Sequence, residues 1–297
     1  MARKNIFQLV EESYDIFSEI DKINELFYSE IYFCNNIEGD LTFSYLVKNY
    51  LFNDWKYKGT CLSMDEFFTR ANAVVYRNGR SKLSEDVVIN NLEIMENFIK
   101  LYFDNEESLY NEYTFEYYSE LNSEFIFLIN TLEKRMGLTT REYKDRVIVY
   151  PKNAPLEKVV DLCDDEDVQW ELIRYVREDL SLSERRKSLA YLATNLYIEE
   201  DDSEKEEPIK SIVKNACILL NNLHIRHNNK TGKWENQALK DLDKNDAISL
   251  CDMVYNEMLT IVLLREHKEY ERTYAEFRKK QKEVKSKKKT DAKDADI

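Results

Sequence analysis

The sequence predicts an all-α fold, and three observations support this prediction. The 297 residues include only 5 Gly and 3 Pro, where average usage would supply about 20 and 15. Because Gly and Pro mark turns, hairpins and strand edges, a chain so poor in both has few tight turns. Hydrophobic residues form 43% of the chain, which is enough for a core, and most of them recur at helical spacing. A chain of this length is expected to form one large domain or two smaller ones.

Residues 1–137 are predicted to form an N-terminal helical region. Apolar residues recur there every three or four positions, which is the period of one helix face. Ser63 and Glu66 have the spacing of a capping box, so a helix is expected to begin at this point. It is expected to stop at Asn78 and Gly79. The predicted helices of this region cover residues 5–33 (one or two helices), 41–53, 63–77, 84–103 and 107–136.

Residues 138–155 are predicted to be a linker between two domains. They show no helical stripe, hold two of the three prolines and include an apolar run at 146–150 that is compatible with one short strand. Glu142 and Lys144 have the E-x-K spacing of one nuclease class. Nothing around them indicates a convincing strand context, so this spacing carries little weight.

Residues 156–277 are predicted to form a second helical domain with a long final helix. The predicted helices cover 156–163, 167–179, a segment capped by Ser183, 208–223 and a helix that starts near Asn245. Four consecutive acidic residues at 164–167 lie where a helix N-terminus favours negative charge. They are interpreted as a cap, because a metal site would need partners from elsewhere that the sequence does not identify.

The last twenty residues differ from the rest of the chain in charge. Residues 278–289 carry a net charge of +7, whereas the whole chain carries −14. Val284 is the only apolar residue in this stretch, so residues 278–297 are predicted to be a basic, disordered tail. Such a tail is either simply solvated or binds nucleic acid or another part of the protein.

Cysteine usage and hydropathy predict a cytoplasmic protein. The five cysteines are odd in number and include no C-x-x-C pair, which is typical of reduced thiols. No run of 18 apolar residues exists, so no membrane span is predicted. Acidic residues interrupt the apolar stretch behind the N-terminus, which argues against a signal peptide. The glycine-rich loops and zinc motifs of common cofactor sites are absent, so neither a cofactor nor a metal is expected.

One segment, residues 220–233, clusters two histidines, one arginine and four amides at the end of an apolar helix. If the helix persists, His227 continues the buried face of Leu223, and Arg226 borders it. Three interpretations are open. The segment is an ordinary polar helix end, or His224 and His227 bind a metal, or it contacts RNA. In the third case the arginine holds phosphate and a histidine is a general acid or base.

The run Asn-Leu-His-Ile-Arg-His-Asn-Asn-Lys, with a helix before it and a long helix after it, resembles the C-terminal region of bacterial abortive-infection-type proteins. These proteins are similar to the HEPN superfamily of helical bundles. HEPN proteins characteristically carry an Arg, then usually Asn, Asp or His, and then a His separated from the Arg by about four to six residues. Arg226 and His227 fit the first two positions. The closing position falls at Thr231, Gly232 or Lys233, and none of these is histidine.

The resemblance implies a HEPN-like bundle and a prokaryotic defence or toxin-type protein that binds RNA or cleaves it without a metal. It implies Arg226 and His227 as catalytic residues and a homodimer formed through the C-terminal bundle. The residues expected to bind substrate are His224, Asn228, Asn229 and Lys230. The alternative is a non-catalytic helical module that binds a protein partner through its acidic face.

Overall fold

The computed structural model describes residues 14–28, 42–73, 84–105, 118–199, 209–223, 225 and 242–294. The chain divides into two compact units, Met1–Lys152 and Asn153–Ile297. Both are built mainly from α-helices, and the strands of the described residues form a single two-stranded sheet. The all-α prediction is therefore confirmed.

Unit 1 contains five helices and a β-hairpin among its described residues. Thr42, Ser63 and Ser84 cap three of these helices, each accepting a hydrogen bond from a backbone N–H of the first turn. The elements are α1 (Ile16–Tyr28), α2 (Phe43–Leu46, continued by a π-helical turn Val47–Leu51), a 3₁₀ turn (Lys56–Lys58), α3 (Met64–Arg70), α4 (Glu85–Asp104), α5 (Tyr118–Met136), β1 (Leu138–Tyr143) and β2 (Arg146–Pro151).

Helix α3 begins where the capping box predicted and ends earlier than expected. The Ser63 hydroxyl accepts from Glu66 N, while the Glu66 carboxylate accepts from Leu62 N at 2.9 Å. The helix was predicted to run to residue 77, but it stops at Arg70. Asn72 has φ 51°, a left-handed conformation that ends the helical hydrogen-bond ladder.

The core of unit 1 is rich in aromatic rings. Phe27 of α1 is fully buried, and its ring centroid lies 5.5–6.4 Å from those of four further phenylalanines, namely Phe43, Phe68, Phe98 and Phe125. Each of these large side chains stabilises the fold by about 1.5–3 kcal/mol through burial alone. This packing joins α1, α2, α3, α4 and α5 into one core.

The predicted linker is instead largely a β-hairpin that belongs to unit 1. Strands β1 and β2 pair antiparallel through a two-residue turn at Lys144 and Asp145, which have φ 47° and 63°. The buried side chains of Leu138 and Val149 pack in the unit 1 core. Glu142 thus does lie in a strand, whereas Lys144 lies in the turn, and the described residues contain no group of three metal ligands.

The described residues of unit 2 form a bundle of five helices, and its acidic segment caps a helix as interpreted from the sequence. Asp165 Oδ1 accepts from Asp167 N and Val168 N. The capping residue of the following helix is Ser181 rather than Ser183, and Glu184 completes a capping box there. The helices are α6 (Ala154–Leu162), α7 (Glu166–Arg177), α8 (Leu182–Asn195), α9 (Ile209–Asn222) and α10 (Lys244–Asp294).

The N-terminal half of helix α10 lies in the core of unit 2. Its second half, which includes the exposed residues 269–280, lies on the surface. Cys251, Val254, Tyr255, Met258 and Ile261 are buried, and the N-terminal half packs on α6, α8 and α9. Over Lys244–Lys280 the helix is long and apolar enough to cross a membrane by length and composition. Core helices of soluble proteins meet the same criterion, so the absence of a membrane span stays a prediction.

The prediction of a disordered tail is corrected, since α10 continues to Asp294. The stretch from Lys244 to Asp294 contains no Gly or Pro. It is rich in Lys and Glu, which have high helix propensity, and this composition favours an uninterrupted helix. The last three residues lie outside the described part of the chain.

Candidate nucleic-acid interface

The residues that the sequence singled out lie outside the described part of the chain. These are His224, Arg226, His227, Asn228, Asn229 and Lys230. Helix α9 ends at Asn222, and Ile225 N donates back to Leu220 O at 3.1 Å. A bond that spans five positions closes a helix end rather than continuing it. Helix α9 therefore does not continue regularly through Ile225. The prediction that His227 lies on its buried face depended on such a continuation.

An acidic groove opens on the described surface of unit 2. Its volume is about 1320 Å³, and it is lined by five carboxylates, from Asp164, Asp165, Glu199, Glu266 and Glu269. The one arginine in its lining, Arg265, donates from Nη1 to the carbonyl oxygens of Leu196 and Tyr197 at 3.3 and 3.0 Å. An excess of four negative charges repels phosphate, so this groove is unsuited to nucleic acid.

A smaller pocket lies in unit 1, and its lining holds one carboxylate and one guanidinium among aromatic and uncharged residues. Its volume is about 160 Å³, well below the roughly 300–1,000 Å³ of pockets for drug-sized ligands. It therefore suits a single ring-sized group. The residues that line it are Trp55, Tyr57, Phe67, Ala71, Asn90, Glu93, Ile94, Asn97, Arg146 and Val147.

One wall of this pocket is formed where α4 meets the outer edge of β2. Asn97 Nδ2 donates to Val147 O at 2.7 Å and Val147 N donates to Asn97 Oδ1 at 3.0 Å. One helical turn earlier, Glu93 Oε2 accepts from Val149 N at 2.9 Å. Four residues of a helix rise about 6 Å and two residues of a strand about 6.6 Å. The spacing of Asn97 and Glu93 on the helix therefore matches the spacing of Val147 and Val149 on the strand. Their side chains form hydrogen bonds with backbone groups on the unpaired edge of β2.

The opposite wall is aromatic. The Trp55 ring packs edge to face against Phe67 at 5.0 Å and against Tyr57 at 6.3 Å between centroids. Trp55 is buried and Tyr57 is half-buried, so the tyrosine ring lies at the mouth of the pocket. The Arg146 guanidinium carbon lies 5.7 Å from the Tyr57 centroid, within cation–π range.

The pocket also offers both kinds of hydrogen-bonding group. Asn90 Nδ2 donates to Ala71 O at 3.0 Å, while its Oδ1 accepts no hydrogen bond from the described residues. Glu93 contributes a second acceptor and Arg146 contributes donors. A nucleobase is a flat ring with a polar edge. A site with an aromatic face and both donors and acceptors can bind it by stacking and by hydrogen bonds.

Two of the four segments that line the pocket are basic and two are acidic. Residues 53–60 and 138–152 together carry +3, whereas residues 64–71 carry −1 and residues 85–104 carry −4. The hydrogen bond from Lys56 Nζ to Asp145 Oδ2, at 2.5 Å, holds the Asp145 pKa below and the Lys56 pKa above their ordinary values. The same ammonium lies 5.0 Å from the Tyr57 centroid.

Sequence reasoning overlooked this site, although one signal for it was present. Trp55, Lys56, Tyr57 and Lys58 alternate aromatic and basic residues, a pattern typical of surfaces that stack bases and neutralise phosphates. The remaining pocket residues come from α3, α4 and the hairpin, and only the fold brings them together.

Comparison with known proteins gives no further information on this site. No family model, no curated protein and no solved structure matches the chain.

Proposed function

We propose that the protein binds single-stranded RNA through the unit 1 pocket. The observation that carries this proposal is a base-sized pocket, with an aromatic wall and a polar wall, beside the lysines of two basic segments, residues 53–60 and 138–152. One base stacks on Tyr57, and the adjoining phosphates lie near Lys56, Lys58 and Lys144. The proposal agrees with the RNA-directed role that the resemblance implies.

Stacking on Tyr57 and the charge of the nearby lysines both contribute to the affinity for RNA. Stacking on an aromatic side chain is worth about 1–3 kcal/mol per base and tolerates any base. The side-chain oxygen of Asn90 then favours bases that present a hydrogen-bond donor to it. Single strands are the fitting substrate, because bases in a duplex are stacked and their edges are already paired.

RNA cleavage is proposed separately from RNA binding. A HEPN-like ribonuclease would use Arg226 to hold phosphate and His227 as general acid or base. Incubation of the protein with total RNA, with and without EDTA, tests this step. Cleavage that survives chelation and is lost in Arg226→Lys supports it, since lysine keeps the charge but not the planar fork. No cleavage at high protein concentration leaves RNA binding without catalysis.

RNA binding is tested with a variant in which the fluorescence of Trp55 reports on the pocket. Trp55 becomes the sole tryptophan when Trp170 and Trp234 are changed to phenylalanine. Titration with a labelled 12-nucleotide RNA should quench Trp55 fluorescence and raise the anisotropy of the label over the same concentration range. A matched single-stranded DNA in a second titration distinguishes a preference for ribose from a general affinity for single strands.

Tyr57 provides the decisive variants. Tyr57→Ala should raise Kd by about five- to a hundredfold, the equivalent of one lost stacking contact, and Tyr57→Trp should retain binding. Tyr45→Ala is the matched control, because Tyr45 is also half-exposed in unit 1 and lies outside the pocket. Equal affinity of the Tyr57→Ala variant and the parent protein would refute the site, and absence of RNA binding would favour the protein-interaction module.

We place this activity in the cytoplasm, and the state of the thiols supports that placement. The cysteines of the described residues, Cys61, Cys163, Cys217 and Cys251, form no disulfide, as is usual in a reducing compartment.

A further inference from the structure

The surface half of α10 exposes a stripe of large aromatic side chains. Tyr270, Tyr274 and Phe277 are 59%, 57% and 54% exposed. Their spacing of four and three residues puts them on one face of the helix, at the a and d positions of a heptad. Every residue from 269 to 280 is exposed, so no described part of unit 2 covers this face.

We propose that this stripe is the contact surface of an antiparallel pair of α10 helices from two copies of the chain. Exposed aromatic residues at heptad positions are the usual seam of paired helices. The family resemblance implies a homodimer through the C-terminal bundle but names no face of that bundle. The exposure of this stripe identifies a surface independently of that resemblance.

The charges beside the stripe select the antiparallel orientation. Residues 266–276 carry a net charge of −2, whereas residues 278–289 carry +7. A parallel pair would align the two basic segments and repel. In an antiparallel pair centred close to Tyr274, the basic segment of each copy faces the acidic segment of the other. Tyr274 of each copy then packs against Phe277 of the other, and Glu271 and Arg278 of opposite copies are neighbours at the flank of this seam.

The same charges make RNA a poorer occupant of the stripe. Tyr270 and Tyr274 belong to the acidic segment, which carries four glutamates at positions 266, 269, 271 and 276. Phosphates beside those rings would be repelled, while a second copy brings cations to them. The Arg278 guanidinium carbon already lies 4.8 Å from the Tyr274 centroid within one chain, so a cation is compatible with this ring.

Sedimentation velocity on the full chain tests the contact. A variant with alanine at Tyr270, Tyr274 and Phe277 should sediment as a monomer at concentrations where the parent chain is a dimer. Its helical circular dichroism and thermal midpoint for unit 2 should be unchanged, since these side chains are already exposed. The control replaces three residues of the opposite face, Arg272, Glu276 and Lys279, with alanine and should stay dimeric.

Charge reversal tests the orientation. Glu271→Lys or Arg278→Glu alone should weaken the dimer about tenfold or more, because each creates two like-charge contacts per dimer. The double variant should restore it. A strict monomer at high micromolar concentration would overturn the proposal, and so would a dimer that survives loss of the stripe. A stripe variant that keeps its oligomeric state but loses RNA binding would assign the stripe to nucleic acid instead.

Discussion

Asn97 and Val147 exchange two hydrogen bonds, so that one side-chain amide satisfies both backbone groups of a residue on an edge strand. The donor–acceptor distances are 2.7 Å from Asn97 Nδ2 to Val147 O and 3.0 Å from Val147 N to Asn97 Oδ1. In the hairpin register Val147 pairs with Glu142, a position whose N–H and C=O point away from the partner strand. The contact fastens the hairpin to α4 and supports one wall of the pocket.

Asn97→Leu should destabilise unit 1 by about 2–4 kcal/mol, because two buried backbone groups lose their partners at about 1–3 kcal/mol each. Asn130→Leu is the matched control: this amide is exposed and donates to Ile126 O of its own helix. Urea denaturation followed by Trp55 fluorescence measures the difference. Equal stability of the two variants would contradict a structural role for the Asn97 amide.

Lys144→Asn should stabilise unit 1 by about 1 kcal/mol, since a non-glycine residue in the left-handed region costs about 1–2 kcal/mol and asparagine tolerates it better. Lys144 has φ 47° in the hairpin turn. Lys152→Asn makes the same chemical change just after β2, at a residue without positive φ, and should bring no gain. A lower thermal midpoint for Lys144→Asn would show that its contact with the Tyr143 ring, 4.9 Å from the centroid, outweighs the backbone strain.

The turn also explains why the hairpin was missed in the sequence. Helices depend on local patterns, and the caps at Ser63, Ser84 and Asp165 were recognisable from a few adjacent residues. A two-residue hairpin is signalled by Asn-Gly or Asp-Gly, because both central residues need positive φ. Here Lys-Asp adopts that conformation, held by contacts such as Lys56 to Asp145 that are distant in sequence.

The candidate site was predictable only in part. The aromatic and basic alternation at residues 55–58 is visible in the sequence. Its pairing with Asn90, Glu93 and Arg146 depends on how α4 packs on β2, which no local pattern encodes. The segment around Arg226 and His227 was conspicuous for its composition, and its role stays a prediction.

Glu133 should make the stability of unit 1 fall as the pH rises. Burial, with a smaller contribution from the charge of Glu96, raises the pKa of this carboxyl from its ordinary 4.5 to about 8. Glu133 is 5% exposed, and its Oε1 has no hydrogen-bond partner among the described residues. The folded state holds a proton that the unfolded state releases, so the free energy of unfolding decreases between about pH 4.5 and pH 8. The decrease is at most about 5 kcal/mol.

Glu133→Gln removes this titration and should therefore flatten the pH dependence. The variant and the parent chain should have similar stability near pH 4.5, where both side chains are neutral. The variant should be the more stable of the two at pH 8–9. Urea denaturation at pH 5, 7 and 9 measures both curves. Parallel curves would show that Glu133 is not protonated in the folded protein.

Tyr175 combines a stacking contact and a hydrogen bond in the unit 2 core, and two substitutions separate them. Its ring stacks on Tyr255 at 4.3 Å and 6°, and its hydroxyl donates to Asp252 Oδ1 at 3.0 Å. Tyr175→Phe keeps the stack and should cost about 1 kcal/mol. Tyr175→Leu loses both and should cost about 2–3 kcal/mol. Equal losses for the two variants, measured by denaturant titration, would assign the whole effect to the hydroxyl.

The lysines beside the pocket should set the salt dependence of RNA binding. Each phosphate that a protein neutralises on a single strand contributes about −0.7 to the slope of log Kobs against log salt concentration. Replacing both Lys56 and Lys58 with glutamine should therefore make the slope shallower by about 1.4 if each contacts one phosphate. The same replacement at Lys22, which pairs with Glu19 at 2.6 Å on α1, should leave the slope unchanged.

The loss of Lys56 has a second effect, because its ammonium pairs with the Asp145 carboxylate. Without it this carboxylate is left near the strand, so the affinity at low salt should fall more than the slope alone predicts. An unchanged slope in the double variant, with Tyr57→Ala still impaired, would mean that the pocket binds a base while the phosphates lie elsewhere.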